Sequence, residues 1–389
     1  MRWILICCAA LASNAVIAAE PEEFREDAQL VEQLVEHQYA YLDRLPGDEF
    51  ELTPKLRAEA EAVKTKRQLV RFAERALTLL ADHHTIIGAA LSDSWAVFPS
   101  FGDLWIERRG KDYVVERVRE DTPASRRGIR AGDHLLAIGG VPIQNVVDDF
   151  WDDLGVLYGP RDEGFTARIL AAGRRDRPRA LTVKSGSDEP RQLELSNLYS
   201  VENIEQPPLS VSDEGESRVI TFNNSLGRED TIAAFDTAMA EASRDQPIII
   251  DLTDTPGGGN TVVARGIMGW LVQQPTPYQI HSLPKEMRCT GIPRQWIEQV
   301  LPREGKYHSG SLTVRIGRWT GSMCEGMAIG LDAIGAAVEG SRMAGLLGAV
   351  YDERLPNSGL IVKLPVERLY AFDGTPREEF EPASPAAPH

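Results

Sequence analysis

The sequence predicts an α/β protein with several domains, and three observations support this prediction. Residues 24–80 have the apolar spacing of helices, and residues 102–185 have the pattern of paired strands with glycine turns. Beyond residue 217, strand and helix patterns alternate, which is typical of a parallel sheet covered by helices. We therefore expect an N-terminal helical cap, a small β-rich domain and an α/β core.

The length and charge of the chain limit the partners that it can have. Its 389 residues suffice for two or three domains. The 42 basic and 58 acidic side chains give a net charge of −16. Such a charge argues against nucleic acid or an anionic membrane surface as the main partner.

Residues 1–19 have the features of a secretory signal peptide. Arg2 supplies a positive start, residues 3–11 are apolar, and small residues lead up to Ala19. The stretch is too short to be a spanning helix, and no later run is long and apolar enough to cross a membrane. We expect an exported protein, either periplasmic or secreted.

Signal removal would leave two of the four cysteines, Cys289 and Cys324. An oxidising compartment permits a disulfide between them. Two separate thiols are the preferred prediction, with Cys324 buried in a helix. No spacing of Cys and His suggests a zinc site, and we predict no metal and no cofactor.

Residues 20–100 are predicted to form the helical cap, which also carries a histidine motif. Two apolar stripes recur there at helical spacing. The stripes consist of Leu30, Val31, Leu34 and Val35, and of Val70, Phe72, Ala73, Ala76, Leu77 and Leu80. The motif that follows them is Asp82-His83-His84-Thr85.

Residues 101–200 are predicted to form the β-rich domain. Two strands paired around Gly110 come first. A short helix after Pro123 and a strand that enters Gly139-Gly140 follow.

Residues 201–217 are predicted to be a linker and residues 218–389 the α/β core. Within the core, a buried strand runs into a loop with Pro256 and three glycines at 257–259, and a helix follows. Glycines let the backbone approach closely, and a helix start presents N–H groups to an anion. The Lys-Ser/Thr of a phosphate loop is missing. An oxyanion loop is therefore the preferred functional interpretation, and a structural tight turn is the alternative.

Ser322 follows a strand end and a glycine turn, and a helix begins after it. The apolar side chains spaced along this helix are Met323, Met327, Leu331 and Ile334. A serine here lies near unpaired N–H groups and the positive end of the helix dipole, where an oxyanion could be stabilised. By itself the segment fits a helix N-cap better, with Glu325 completing a capping box.

Together these motifs resemble those of the C-terminal-processing (tail-specific) serine peptidases. The motifs are Asp-Leu-x-x-x-Pro-Gly-Gly at 251–258, Thr-Gly-Ser-Met at 320–323, a PDZ-like pattern at 123–140 and Asp-Gly-Thr-Pro-Arg-Glu at 373–378. The resemblance covers nearly all of the chain beyond the signal. It implies a PDZ-like domain at 101–200, a crotonase-like α/β (ββα superhelix) core at 218–389, and Ser322 as nucleophile.

The resemblance also indicates where the base for Ser322 is expected. Many members use a Ser-Lys dyad, but Leu346 and Leu347 stand where that lysine would be, and Arg342 would be a poor base. Members similar to the tricorn core peptidases use a Ser-His-Glu triad instead. That branch implies His84 as base and Glu378 as the acid that orients it.

Other residues remain open for these roles. His83 is the alternative base, and Lys363 is a less favoured rival. The acids that crowd Glu378 are Asp373, Glu379 and Glu381. The oxyanion hole is expected to combine the N–H of Met323 with that of Gly257 or Gly258.

The predicted function is therefore that of an exported serine endopeptidase, which hydrolyses protein or peptide substrates through an acyl-enzyme. A homodimer is compatible with this prediction. The alternative is a catalytically inactive relative that uses its PDZ-like domain and cleft to bind peptides or other ligands. The missing lysine motivates that alternative.

Overall fold

The structure is a computed structural model that describes residues 20–95, 101–156, 161–200 and 206–385. The predicted signal peptide and the first residues of the predicted linker lie outside this part of the chain. Within it, no helix has both the length and the apolar character needed to cross a membrane. Cys324 is buried and Cys289 is exposed, both as free thiols, which confirms the prediction for these residues.

The N-terminal cap contains three helices and ends in a short strand. These are α1 (Pro21–Gln38), α2 (Pro54–Ala62), α3 (Lys66–Thr78) and β1 (Ile86–Ile87), with 3-10 turns at Leu42–Arg44 and Pro46–Asp48. Threonines begin the second and third helices, because the side chains of Thr53 and Thr65 accept backbone N–H groups of the first turn. Helices therefore dominate residues 21–78, as the apolar spacing predicted.

The middle part is an antiparallel sheet with helices packed on it. Its elements are β2 (Leu104–Arg109), β3 (Asp112–Val118), α4 (Pro123–Arg126), β4 (His134–Ile138), β5 (Val141–Pro142), α5 (Ile143–Asp153), α6 (Glu163–Ala172), β6 (Arg179–Lys184) and β7 (Arg191–Leu195), before a 3-10 turn at Leu198–Ser200. The strand order is β2-β3-β4-β6-β7, with β5 beside β4. Apolar side chains of the sheet and of α5 and α6 form a separate core.

The core part contains the remaining strands and helices. They are β8 (Leu209–Glu214), β9 (Ser217–Phe222), α7 (Asp230–Glu241), β10 (Ile248–Asp251), β11 (Asp254–Thr255), α8 (Thr261–Met268), β12 (Thr276–Ser282), α9 (Pro284–Thr290), β13 (Gln295–Val300), β14 (Leu312–Ile316), β15 (Trp319–Thr320), α10 (Met323–Ala333), β16 (Ala337–Gly340), β17 (Ala349–Arg354), β18 (Ile361–Tyr370) and β19 (Ser384–Pro385), with a 3-10 turn at Arg377–Glu379.

The main sheet of the core has the order β19-β16-β14-β10-β9-β8. Its central strands β16, β14, β10 and β9 are parallel, which confirms the predicted parallel sheet. Helices α7, α8 and α10 pack on it through buried side chains such as Phe235, Ile267 and Met327.

A second sheet joins the core to the N-terminal cap. Strand β18 pairs with β1, β12 and β17, all antiparallel. Its side chains Val362, Leu364 and Val366 share one buried cluster with Val31 and Phe72 of the cap. The histidine motif, which lies between α3 and β1, is therefore held beside the last third of the chain.

One expectation about the linker differs from the structure. Within the predicted linker 201–217, the residues Leu209–Glu214 form a strand that pairs antiparallel with β9. Its side chains beyond Leu209 are exposed, because β8 is the edge strand of the sheet. An exposed polar edge strand resembles a linker in composition, so the sequence pattern did not reveal it.

Candidate active site

A two-stranded parallel ladder brings the glycine loop and the serine turn together. β11 pairs with β15 through Asp254–Trp319 and Thr255–Thr320, and Gly321 N–H donates to Thr255 O at 3.1 Å. The glycines that follow Pro256 therefore lie beside Ser322. A Cβ built on Gly258 would stand 3.9 Å from Ser322 Oγ.

Ser322 occupies the N-cap position of α10 in an unusual backbone conformation. Its φ is 55° and its ψ is −117°, a region that favours glycine. Such a conformation costs about 1–3 kcal/mol and is characteristic of functional sites. Glu325 Oε2 accepts the Ser322 N–H at 2.7 Å, so the carboxylate half of the predicted capping box is present. The serine side chain, however, faces a histidine.

That histidine is His84, which is 238 residues away in the chain. Its Nε2 lies 3.0 Å from Ser322 Oγ, and its Nδ1 lies 2.6 Å from the carbonyl oxygen of Leu347. A carbonyl oxygen can only accept, so Nδ1 carries the ring proton and Nε2 presents a lone pair to the serine hydroxyl. This tautomer is the one that a general base for Ser322 needs.

The turn that carries His84 is fixed by Asp82. Asp82 Oδ1 accepts the His84 N–H at 2.8 Å, and its Oδ2 accepts the Tyr39 hydroxyl at 2.9 Å. The Thr85 hydroxyl donates to the Asp82 carbonyl at 2.9 Å. Burial raises the pKa of Asp82 to about 6, although its hydrogen bonds and Arg44 oppose that rise.

The surroundings of His84 keep its imidazole neutral. Burial, and then the positive charge of Arg377, lower the pKa of His84 to about 4, while hydrogen bonding to the carbonyls of Leu347 and Gly348 opposes this. The ring is therefore uncharged at neutral pH and available to take a proton.

The predicted acid, Glu378, does not occupy the Nδ1 side of His84, where the Leu347 carbonyl stands instead. Glu378 Oε2 is buried and has no hydrogen-bond partner among the described residues. Its negative charge contributes to the raised pKa values of Tyr41 and Asp82, behind burial as the main cause. Glu378 thus lies near the histidine motif without orienting the ring directly.

The alternative bases and acids are placed elsewhere. His83 Nε2 accepts the Nε–H of Arg168 at 3.1 Å, and its ring lies 4.3 Å from that of Phe165 in the middle domain. Lys363 pairs with Asp352 at 2.6 Å. The other rival groups are at the surface: Arg342 pairs with Glu381 at 3.0 Å, and Glu379 and Asp373 are exposed.

The two predicted oxyanion donors of the glycine loop have different surroundings in the structure. Gly257 N–H already donates to Asn224 Oδ1 at 2.6 Å, whereas Gly258 lies against Ser322. Met323 is the first residue of α10, so its N–H has no acceptor one turn back. Of the predicted donors, Gly258 and Met323 therefore remain candidates, whereas the Gly257 N–H is already engaged. Asn224, which has a φ of 52°, carried no signal that sequence reasoning could use.

Two further residues belong to the site: Glu325, which was predicted only as part of a capping box, and Arg377, for which no role was predicted. Glu325 is fully buried, and its Oε1 accepts the N–H groups of Gly345 at 2.8 Å and Leu346 at 3.2 Å. Burial raises its pKa to about 7, against the lowering effects of Arg377 and these N–H groups. Arg377 Nη2 donates to the carbonyls of Leu346 at 2.7 Å and Gly348 at 2.8 Å.

The middle domain contacts the turn before Ser322. Arg318 pairs with Glu107 at 2.9 Å and Glu116 at 2.8 Å, and its guanidinium lies 4.7 Å from the ring centroid of Trp105. Trp319 Nε1–H donates to the Gly102 carbonyl at 2.7 Å. The domain is therefore fixed to the segment that presents the serine.

With this geometry established, the fold proves similar to that of a C-terminal-processing protease, which confirms the predicted mixed α/β fold. The photosystem II D1 C-terminal processing protease is 15% identical, with a TM-score of 0.54 over 94% of each chain. CPAF, in its complex with lactacystin, is 14% identical, with a TM-score of 0.57 over 94% of this chain and 93% of that one.

A lipoprotein from Streptococcus agalactiae has the same arrangement at 9% identity, with a TM-score of 0.51 over 97% of this chain and 95% of that one. No protein-family model and no curated protein sequence matches the chain. The likeness to known proteins therefore establishes the fold, and the chemistry must be argued from the residues of the site.

Proposed function

We propose that this protein is an exported serine endopeptidase that hydrolyses peptide bonds in protein or peptide substrates. The observation that carries the proposal is the 3.0 Å separation of Ser322 Oγ and His84 Nε2. The strained backbone at Ser322 and the two N–H donors beside it support the same function. The signal-like residues 1–19 support export.

The chemistry would proceed through an acyl-enzyme. Ser322 Oγ attacks the carbonyl carbon of the substrate while His84 Nε2 takes the hydroxyl proton. The N–H groups of Gly258 and Met323 donate to the oxyanion that forms. His84 then gives its proton to the leaving amine, and it later activates the water that hydrolyses the ester.

Glu378 keeps a role in this proposal, although it is not a direct partner of the ring. His84 becomes positively charged during the reaction and has the cation Arg377 as a neighbour. A carboxylate that adjoins Arg377 and the Asp82 turn would offset part of this unfavourable charge. Glu378 is thus proposed only as a charge that acts at longer range, and not as the acid that orients the ring.

The domain assignments belong to the same proposal. The antiparallel sheet and helices of the middle domain support a PDZ-like unit, which could bind extended peptides at a strand edge. The parallel sheet of the core, with α10 starting at Ser322, supports a crotonase-like peptidase core.

Replacement of the nucleophile tests the function. Ser322→Ala should lower kcat for casein or peptide cleavage by at least about 10³-fold, because the remaining groups cannot form the acyl-enzyme. A serine-reactive phosphonate should label the unmodified protein and not this variant. Ser212→Ala, which changes an exposed serine of β8, is the matched control and should retain full activity.

The opposite result would decide against the peptidase. Cleavage that persists in a pure Ser322→Ala preparation would assign the activity to another group or to a contaminant. Absence of both cleavage and labelling in the unmodified protein would favour the inactive, peptide-binding alternative.

A further inference from the structure

The segment 345–348 passes behind His84 and supplies a hydrogen-bond partner for its ring, the carbonyl of Leu347. This is the place in the sequence where a lysine would stand in the Ser-Lys branch. In this chain a backbone group takes the position that a triad carboxylate would occupy. A backbone acceptor orients a ring well only when the segment that carries it is itself held.

Glu325 holds this segment from the side of α10. One of its carboxylate oxygens accepts the N–H groups of Gly345 and Leu346, and the other accepts the N–H of Ser322. A single fully buried carboxylate therefore ties the backbone of the nucleophile to the backbone of the segment. Its reach exceeds that of an ordinary capping box, which involves only the helix start.

Arg377 holds the same segment from the opposite side. Its Nη2 donates to the carbonyls of Leu346 and Gly348, and its Nη1 lies 3.4 Å from the carbonyl of Ser322. The Leu346 and Gly348 carbonyls thus accept from Arg377, and the Leu347 carbonyl, with a contribution from that of Gly348, accepts from His84. The guanidinium, with its fixed fork of donors, suits this double contact better than an ammonium group.

The two side chains also compensate each other's charge. Arg377 Nη2 and Glu325 Oε2 are 3.9 Å apart, and both side chains are almost completely buried. Buried charges persist when they are paired and hydrogen-bonded, and removal of one leaves the other uncompensated. The pair is therefore one unit, which we call the clamp.

We propose that Glu325 and Arg377 are positioning residues that orient His84 through the carbonyl of Leu347. The clamp fixes this carbonyl, and the carbonyl holds the imidazole in the tautomer with Nδ1 protonated. The inference rests on the proposed function, because the pair that the clamp positions is Ser322 and His84. It adds a second tie between nucleophile and base, which runs through the backbone.

The first experiment measures the tautomer and does not depend on activity. Two-dimensional ¹H–¹⁵N spectra of the imidazole, assigned with His84→Gln, should show the proton of His84 on Nδ1 at pH 7. Arg377→Gln should shift the ¹⁵N signals toward a mixture of tautomers, and Arg377→Lys should restore part of the difference. Glu378→Gln should leave the signals unchanged.

The second experiment measures kinetics on the same variants. Arg377→Gln and Glu325→Gln should lower kcat by roughly 10- to 100-fold with little change in KM, because the base is misplaced and binding is intact. In Glu325→Gln an amide group replaces one carboxylate oxygen, so at least one of the three N–H groups loses its acceptor. Arg342→Gln, which changes an exposed arginine paired with Glu381, is the matched control and should leave kcat unchanged.

Three results would overturn the clamp. The first is a His84 proton found on Nε2 in the unmodified protein. The second is a tautomer that responds to Glu378→Gln and not to Arg377→Gln, and the third is an unchanged kcat in both Arg377→Gln and Glu325→Gln. If Arg377→Gln fails to fold, the tautomer spectra and kcat values of the unmodified protein, Arg377→Lys and Glu325→Gln still test the clamp. If Ser322→Ala shows that the peptidase proposal is wrong, the spectra still test the clamp.

Discussion

Two buried histidines of this molecule, His281 and His84, have contrasting surroundings. His281 Nδ1 lies 2.7 Å from Glu367 Oε2, the Tyr351 hydroxyl donates to the same carboxylate, and the ring stacks on Trp296 at 4.9 Å. His84 has a backbone carbonyl at Nδ1 and a serine hydroxyl at Nε2. The histidine–carboxylate pair that a triad requires is thus present in the protein, but at the histidine without the serine.

The contrast shows that a buried histidine paired with a carboxylate does not by itself define an active site. Around His281 the partners are side chains of β12, β13, β17 and β18, so the pair cross-links strands of the second sheet. Around His84 the distinguishing features are the strained Ser322 and the start of α10 and the glycine loop beside it. These features suit the chemistry proposed at the serine, and they single out His84 and Ser322 as the candidate site.

The largest expected effect compares equivalent changes at the two histidines. His84→Gln should lower kcat by about 10²–10⁴-fold, because a glutamine cannot take the serine proton. His281→Gln should leave kcat close to that of the unmodified protein. Initial rates of peptide cleavage at saturating substrate, on samples matched by circular dichroism, provide the measurement.

The comparison would fail if the two variants behaved alike. Equal losses of kcat would mean that His281 takes part in the reaction or that both changes only disturb folding. Thermal unfolding of each variant separates these outcomes, since a shared loss of structure would lower both Tm values.

The second effect is on stability and concerns Glu367. Glu367→Gln places an amide where the carboxylate accepts from both His281 and Tyr351, so a buried donor loses its acceptor. The free energy of unfolding should fall by about 1–3 kcal/mol, while kcat of the folded protein stays unchanged. Urea unfolding gives the first quantity and peptide cleavage the second. Tyr351→Phe, which removes a single hydroxyl, should give a smaller loss, and an activity loss in Glu367→Gln without destabilisation would contradict a structural role.

Much of the site could be predicted because its parts leave patterns in the sequence. The parallel sheet follows from alternating strands and helices, and the helix start at Ser322 follows from glycine turns and apolar spacing. His84 followed from a motif resemblance, and the structure places it at hydrogen-bond distance from Ser322. These features depend on local residue types, which a single sequence contains.

The orienting group of His84 could not be predicted in the same way. Every residue has a carbonyl, so the choice of Leu347 leaves no signature in its side chain. The roles of Glu325 and Arg377 depend on contacts with backbone 20 to 55 residues away in the chain. Likewise the hydrogen bond that engages the Gly257 N–H depends on Asn224, 33 residues earlier. Tertiary hydrogen bonds to the backbone are the part that the sequence pattern does not encode.

The smallest expected effect is a shift in pH dependence, and it sharpens the contrast between the two histidines. His84 must be neutral to act as base, so kcat/KM is lost as pH falls through its pKa. Burial and Arg377 lower that pKa to about 4.

At pH 5.5 an ordinary histidine, with a pKa of about 6.5, would be neutral in only about a tenth of the molecules, whereas His84 remains almost entirely neutral. Protonation of His84 should therefore reduce kcat/KM on an uncharged peptide only below pH 5.5, so a loss between pH 8 and pH 5.5 has another cause. Burial raises the pKa values of two carboxyl groups into the same interval, that of Glu325 to about 7 and that of Asp82 to about 6. In the pH profile of kcat/KM, an acidic limb that disappears in Glu325→Gln or Asp82→Asn would belong to the replaced carboxyl group. An acidic limb near pH 6.5 that persists in both variants would show that the pKa of His84 is not lowered.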